Sequence, residues 1–327
     1  MFEYSLSFKI QNHYNPAKKH YLCGAFTNGQ MTKTLLRGTG VALVTPFATN
    51  GAVDYPAIER LLAHQLRGGI DFLCILATTG ETPCLSLEER QRIKQLVVQR
   101  VAGQVPIVLG YGGNNTAQLV SDLQALDLTG ISALLSVCPY YNKPAQEGLY
   151  RHFRTLAEAS PLPVILYNVP GRTGVNLQAE TTLRLARDVE NIVAIKEASG
   201  DMEQIKTILR QRPEGFNVLS GDDALTLPMI RCGAIGAISV LANALPAHFG
   251  RMVHLALEGR CDEAAGIDQQ LTPLYDLMTR DGNPAGVKAL LASMGLAENV
   301  VRLPLVTATD ATMGLIAEQL EKIRDKR

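Results

Sequence analysis

The sequence predicts a (β/α)8 barrel with a C-terminal three-helix appendage, and three observations lead to it. Eight short apolar runs recur along the chain. Amphipathic stretches of helical period separate them, with units roughly 25–33 residues apart, as a barrel of this kind requires. After residue 258 no strand-like run returns.

The runs are VALVT (41–45), FLCILA (72–77), PIVLG (106–110) and ISALLSV (131–137), then PVILYN (163–168), IVAIK (192–196), FNVLS (216–220) and AIGAISV (234–240). Each is continuously apolar rather than alternating, which suits parallel strands buried on both faces. The intervening helices carry their own start signals. Asp54 precedes PAIERLLAHQL as an N-cap, with Pro56 in the first turn. Ser86-Leu87-Glu88-Glu89 is a capping box opening a helix that runs to about Val101. Asp201 caps MEQIKTILR in the same way. A doubly wound sheet would place a Gly-rich phosphate loop after its first strand, where this chain reads TPFATNG. GRCDEAAGIDQQLTPLYDLM, NPAGVKALLASMGL and DATMGLIAEQLEKIR read as the three closing helices. The expected organisation is therefore a barrel over 31–258 and a helical domain over 259–327. Residues 1–30 are polar, aromatic and loosely patterned, and read as a flexible or spurious leader with Met31 as the natural start.

Composition narrows the function classes. Hydrophobic residues make up 46% of the 327 and charged residues 19%, a globular rather than a disordered balance. Lys+Arg and Asp+Glu number 31 each, which gives no reason to expect nucleic acid or an anionic membrane as partner. No run approaches the ~18 apolar residues that span a bilayer. The six cysteines form no CxxC pair and the six histidines are scattered, so neither a zinc site nor any other metal is expected. A reducing, cytoplasmic setting is the plain reading.

In this fold chemistry takes place where strands end and βα loops begin. Those positions are Thr45, Thr78-Thr79, Tyr140-Tyr141, Tyr167, Lys196, Ser220 and Ser239, almost all hydroxyls with one amine. A lysine desolvated at the mouth of an apolar strand is a candidate Schiff-base nucleophile toward a carbonyl. A lysine paired with its neighbour Glu197 is the alternative. Tyr167 closes the preceding strand, where its hydroxyl could reach the amine and shuttle a proton. Thr78-Thr79-Gly80-Glu81 is a turn whose backbone N–H groups could hold a carboxylate. Arg172, on the loop after the fifth strand, suits bidentate capture of a second one.

ATTGE (77–81), PYYNKPAQEGLYRHF (139–153), YNVPGRTG (167–174), IKEASG (195–200) and LSGDD (219–223), in this order, resemble the pyruvate-dependent class I aldolase and lyase family. The likeness runs from about Arg37 to the C-terminus and is strongest to the branch that condenses pyruvate with L-aspartate 4-semialdehyde. It implies that Lys196 forms the Schiff base with pyruvate, that Thr78, Tyr167 and Tyr141 relay protons, and that Tyr141 reaches into a neighbouring subunit's site. Thr79 would hold the pyruvate carboxylate and Arg172 that of the semialdehyde, with Gly221 and Ile238 lining the pocket. It further implies a step in the diaminopimelate route to lysine, no cofactor, and a homotetramer built as a dimer of dimers. N-acetylneuraminate lyases share the lysine and the tyrosine but lack such an arginine. A 2-keto-3-deoxy-sugar-acid aldolase and a catalytically silent barrel that binds a 2-oxo acid also compete. Two departures matter. Ala77 stands where this family usually has glycine. The positions of the lysine feedback site read Thr82, Pro83, Leu87, Arg90, Asn114, Gln118 and Tyr140, with Leu87 and Gln118 where sensitive forms carry histidine and glutamate, so weak or absent lysine inhibition is expected.

Overall fold

The computed structural model describes residues 36–324. Eight parallel strands close a barrel in chain order: β1 (Gly38–Ala42), β2 (Phe72–Ile75), β3 (Ile107–Gly110), β4 (Ala133–Val137), β5 (Val164–Asn168), β6 (Ile192–Glu197), β7 (Asn217–Ser220) and β8 (Gly236–Ser239). Closure comes from β1 pairing with β8, Gly40 opposite Ile238. The interior is filled by side chains such as Phe72, Cys74, Val108, Leu135, Ile165 and Ile238. The helices cover the outside on a second apolar layer.

The first strand lies three residues earlier than its apolar run suggests, at 38–42 instead of 41–45. Two glycines hide it from a hydrophobicity pattern. Gly40 is required there, because a Cβ would fall 2.1 Å from the Phe72 ring that fills the barrel floor. At the other end Val44 leaves the sheet and donates its N–H to Asn243 Oδ1 at 3.0 Å. The last unit is also shorter than the expected spacing, with only the six-residue helix Thr226–Arg231 between β7 and β8.

The helix starts follow the local signals. Asp54 Oδ1 accepts from Ala57 N–H, Asp201 Oδ1 accepts from Glu203 and Gln204, and both halves of the Ser86–Glu89 capping box are made. Three helices close the chain, Cys261–Thr279, Ala285–Ser293 and Asp310–Arg324, and their apolar faces join the outer layer of the barrel. The expectation for residues 1–30 lies outside the described residues.

One irregularity sets the site. Between β5 and β6 the register runs Val164 opposite Ile192 and then Ile165 opposite Ala194, leaving Val193 as an extra residue. Beyond this bulge Ala194 faces the interior and Ile195 the outer layer. A one-residue shift exchanges the two faces of a strand. Here it places Lys196 inward and Glu197 outward.

Candidate active site

Lys196 is the last residue but one of β6, with its side chain inside the barrel, 4% exposed. Its register partner is Tyr167, also buried, at the end of β5. The Nζ lies 4.4 Å from the centre of the Tyr167 ring. Among the described residues the contact between the two is thus through the ring face, and no hydrogen bond joins the amine to the phenol oxygen. Cys74 lies on the same inner layer, where burial pushes its thiol up to about 11 against the opposing pull of the Lys196 charge. Ile238 is fully buried there as well. Gly221 follows β7, and a Cβ at that position would stand 2.8 Å from Lys196 Cε. Only glycine leaves the lysine stem its path.

Glu197 is not the partner of Lys196. It points outward, fully buried, and accepts from Asn168 Nδ2 at 2.6 Å, Ser199 Oγ at 2.9 Å and Gln204 Nε2 at 3.2 Å. Burial raises its carboxyl to about 7 in spite of these bonds. The residue string alone does not reveal this network, although the consecutive Lys196-Glu197 pair at a strand end marks two polar groups on opposite faces.

Of the two 3-10 turns after β2, Thr78–Gly80 and Thr82–Cys84, the first carries the predicted threonines. Ala77 precedes it in extended backbone, φ −102° and ψ −166°, which any residue adopts, so its methyl in place of the family's glycine brings no strain. Leu76 and Glu81 on either side lie in the left-handed region, both at φ 52°. Side chains hold the turn: Thr45 Oγ1 donates to Gly80 O at 2.7 Å and Thr82 Oγ1 to Ala77 O at 3.0 Å. Thr79 is buried, and its Oγ1 accepts from Asn283 Nδ2 at 3.0 Å. That bond uses the oxygen as acceptor and leaves the hydroxyl hydrogen available as a donor.

Thr78, Tyr167 and Arg172 share the wall of one cavity of about 520 Å3, together with Tyr111, Tyr140 and Asn283. Arg172 sits exposed on the one-turn helix Pro170–Thr173. Lys196, Thr79, Gly221 and Ile238 are not among the residues that line this cavity. Tyr141 stands apart. It is 89% exposed, is not among the residues that line the cavity, and holds φ 74°. A bulky residue in the left-handed region is strained and calls for a reason. Of the feedback positions, Thr82, Pro83, Arg90 and Tyr140 line the same cavity, whereas Leu87 is exposed and Gln118 donates to Asp122 Oδ1 at 2.7 Å.

The acidic residue of the turn is a second group that sequence reasoning missed. Glu81 is fully buried, with Oε1 against Lys288 Nζ at 2.5 Å and Oε2 accepting from Arg302 N–H at 3.0 Å. A lysine inside the apolar stretch AGVKALLAS was the available signal.

A buried amine over the ring of a tyrosine, in the wall of a cavity that also offers hydroxyl and guanidinium donors, places the molecule among the barrel enzymes of the aldolase and lyase class. More particularly, the chain belongs to the dihydrodipicolinate synthetase family, which it matches over residues 35–323. It is 52% identical over 296 residues to a 4-hydroxy-tetrahydrodipicolinate synthase of Phocaeicola vulgatus, covering 90% of this chain and all of that protein. The dihydrodipicolinate synthase of Thermotoga maritima superposes with a TM-score of 0.86 at 38% identity, covering 88% of this chain and 98% of that one. The enzyme of Cyanidioschyzon merolae, whose structure has lysine bound, gives 0.84 at 37% identity over 88% and 98% of the two chains.

Proposed function

We propose that this chain condenses pyruvate with L-aspartate 4-semialdehyde to 4-hydroxy-tetrahydrodipicolinate, working from a Schiff base on Lys196. The observation that carries this reading is the register pair Tyr167–Lys196, with Tyr167 in the wall of a cavity that Thr78 and Arg172 also line. The Lys196 amine attacks the pyruvate ketone to give a carbinolamine. Loss of water, with a proton supplied by the Tyr167 phenol, leaves the imine. Loss of a proton from its methyl group gives an enamine, whose carbon attacks the aldehyde and forms the new C–C bond. The substrate's own amine then displaces Lys196 by transimination and closes the ring. Thr79 donates to the pyruvate carboxylate and Arg172 to that of the semialdehyde. Every proton moves between substrate and side chains, so these steps call for no metal or organic cofactor.

The site is completed by a second subunit. Tyr141 extends the proton relay of Thr78 and Tyr167 into the neighbouring copy, within a dimer of dimers acting in the cytoplasm. Lysine inhibits weakly or not at all. An effector with two ammonium groups needs acidic or acceptor partners, and Gln118, at the position of the glutamate, is neutral. Half-inhibition by micromolar lysine in steady-state assays would overturn this.

The deciding experiment offers purified enzyme pyruvate with either L-aspartate 4-semialdehyde or N-acetylmannosamine. Pyruvate should disappear only with the semialdehyde. Loss with the amino sugar instead would make it a lyase running in reverse. Lys196→Ala should lose nearly all turnover and the mass gained when borohydride reduces the pyruvate imine; retained turnover above a small fraction removes the Schiff-base assignment.

A further inference from the structure

We infer that the C-terminal helix Ala285–Ser293 positions the pyruvate-binding turn, with the buried pair Lys288–Glu81 as the device that sets it. This rests on the function proposed above and adds Lys288, a residue outside the cavity wall that acts through Glu81, which is part of that wall.

Neither barrel strand beside the turn satisfies the Glu81 carboxylate. Its two oxygens take their hydrogen bonds from Lys288 Nζ and from Arg302 N–H, both contributed by the chain's C-terminal segment. Glu81 is also the residue that closes the turn: its own N–H donates to Thr78 O at 3.1 Å, and its backbone is left-handed. Wherever the carboxylate is held, the peptides of Thr78, Thr79 and Gly80 are held with it. Two residues before the same helix, Asn283 donates to Thr79 Oγ1. One element therefore grips the turn at two points, one through a side-chain oxygen and one through a charge.

Two of the three Lys288 N–H groups are hydrogen-bonded, to Glu81 and to the C-terminal segment. Besides Glu81 it donates to Val300 O at 2.8 Å, and its Nζ lies 4.1 Å from the centre of the Phe47 ring. It is fully buried and absent from the cavity wall. Buried ion pairs are poor sources of stability, since well-packed apolar replacements often do as well. What such a pair supplies is a single geometry. Here that geometry belongs to the turn whose N–H groups and hydroxyls receive the first substrate.

The test exploits the two half-reactions of a Schiff-base condensation, in which kcat/KM for each substrate reports its own half. Lys288→Met and the double variant Glu81→Gln/Lys288→Met are compared with wild type, alongside borohydride trapping of pyruvate. In Lys288→Met, kcat/KM for pyruvate should fall at least tenfold while kcat/KM for the semialdehyde changes less than twofold. The double variant should fall no further than Lys288→Met, because the two groups act as a unit. The double variant leaves no unpaired buried charge, so it carries the same criterion should Lys288→Met fail to fold. An equal fall in both half-reactions would show a merely structural pair and overturn the positioning role. So would an unchanged pyruvate half-reaction in variants whose parent traps pyruvate normally. If wild type itself trapped no pyruvate, the function proposed for Lys196 would fall, and this role with it.

Discussion

At the level of single residues, the site depends on a face change between neighbours. Lys196 and Glu197 are both buried, yet one faces the barrel interior and the other a polar cage of Asn168, Ser199 and Gln204. Burial, against the pull of the cage, makes Glu197 a titrating group whose proton affects stability. In the folded protein its proton is held to about pH 7, whereas the ordinary value is 4.5. Between these two pH values the folded state binds more protons than the unfolded chain, so this group's contribution to stability falls as pH rises. Glu197→Gln has no such proton to lose. Relative to that variant, wild type should lose about 3 kcal/mol between pH 4.5 and 7, since each pH step of one between those values costs about 1.4 kcal/mol. Urea denaturation of both proteins across this range measures the difference, in which other titrating groups cancel. Parallel stability curves would count against the buried, raised carboxyl.

At the level of elements, strand ends and the loops behind them divide the labour. β6 presents the amine, β5 the phenol, and the residue after β7 makes room for the lysine stem. Gly221→Ala tests that division. The new methyl would sit 2.8 Å from both Ala198 Cβ and Lys196 Cε, and the lysine, the more flexible of the two, is the group that yields. The barrel should still fold, with its thermal midpoint little changed. Turnover should fall by about 10²-fold, the usual consequence of moving a reacting group by an ångström. Wild-type turnover in a folded Gly221→Ala protein would mean that the lysine path is not confined. The turn after β2 follows the same principle by another route. Its backbone is strained on both sides, and side chains from the loop after β1, from just beyond the turn and from the C-terminal segment hold it in place.

At the level of the whole molecule, the unexplained feature is Tyr141, exposed and left-handed beside the cavity mouth. A subunit that stood alone would gain nothing from this strain. In the assembly proposed here, the phenol enters a neighbour's site as a proton carrier. Tyr141→Phe should then lower kcat by about 10²-fold or more, within the range general acid–base groups contribute, while pyruvate trapping by borohydride persists. A monomer with full activity, established by sedimentation at assay concentration, would contradict the role. The C-terminal helices act at the same scale. Arg302 gives Glu89 a bidentate pair at 2.6 and 2.8 Å while its backbone serves Glu81, so the tail ties two successive segments of the barrel together.

Much of this was legible in the residue string because the signals are local. Helix caps at Asp54, Ser86 and Asp201 depend on neighbours three residues away, and apolar runs of strand length depend on nothing beyond themselves. That Lys196 and Tyr167 end adjoining strands also followed from their place in those runs. The first strand misled because Gly38 and Gly40 lower its hydrophobicity, and the reason for Gly40 is an aromatic ring from the next strand. What the sequence determined by itself was the order of elements and the residue types at their ends. Only the tertiary structure decided which way those residues face and what holds them. A single extra residue, Val193, turns Lys196 inward, and packing of a helix beyond the barrel brings Lys288 to a glutamate 207 positions earlier in the chain. Both outcomes depend on pairing between distant segments, which no local pattern of polarity encodes.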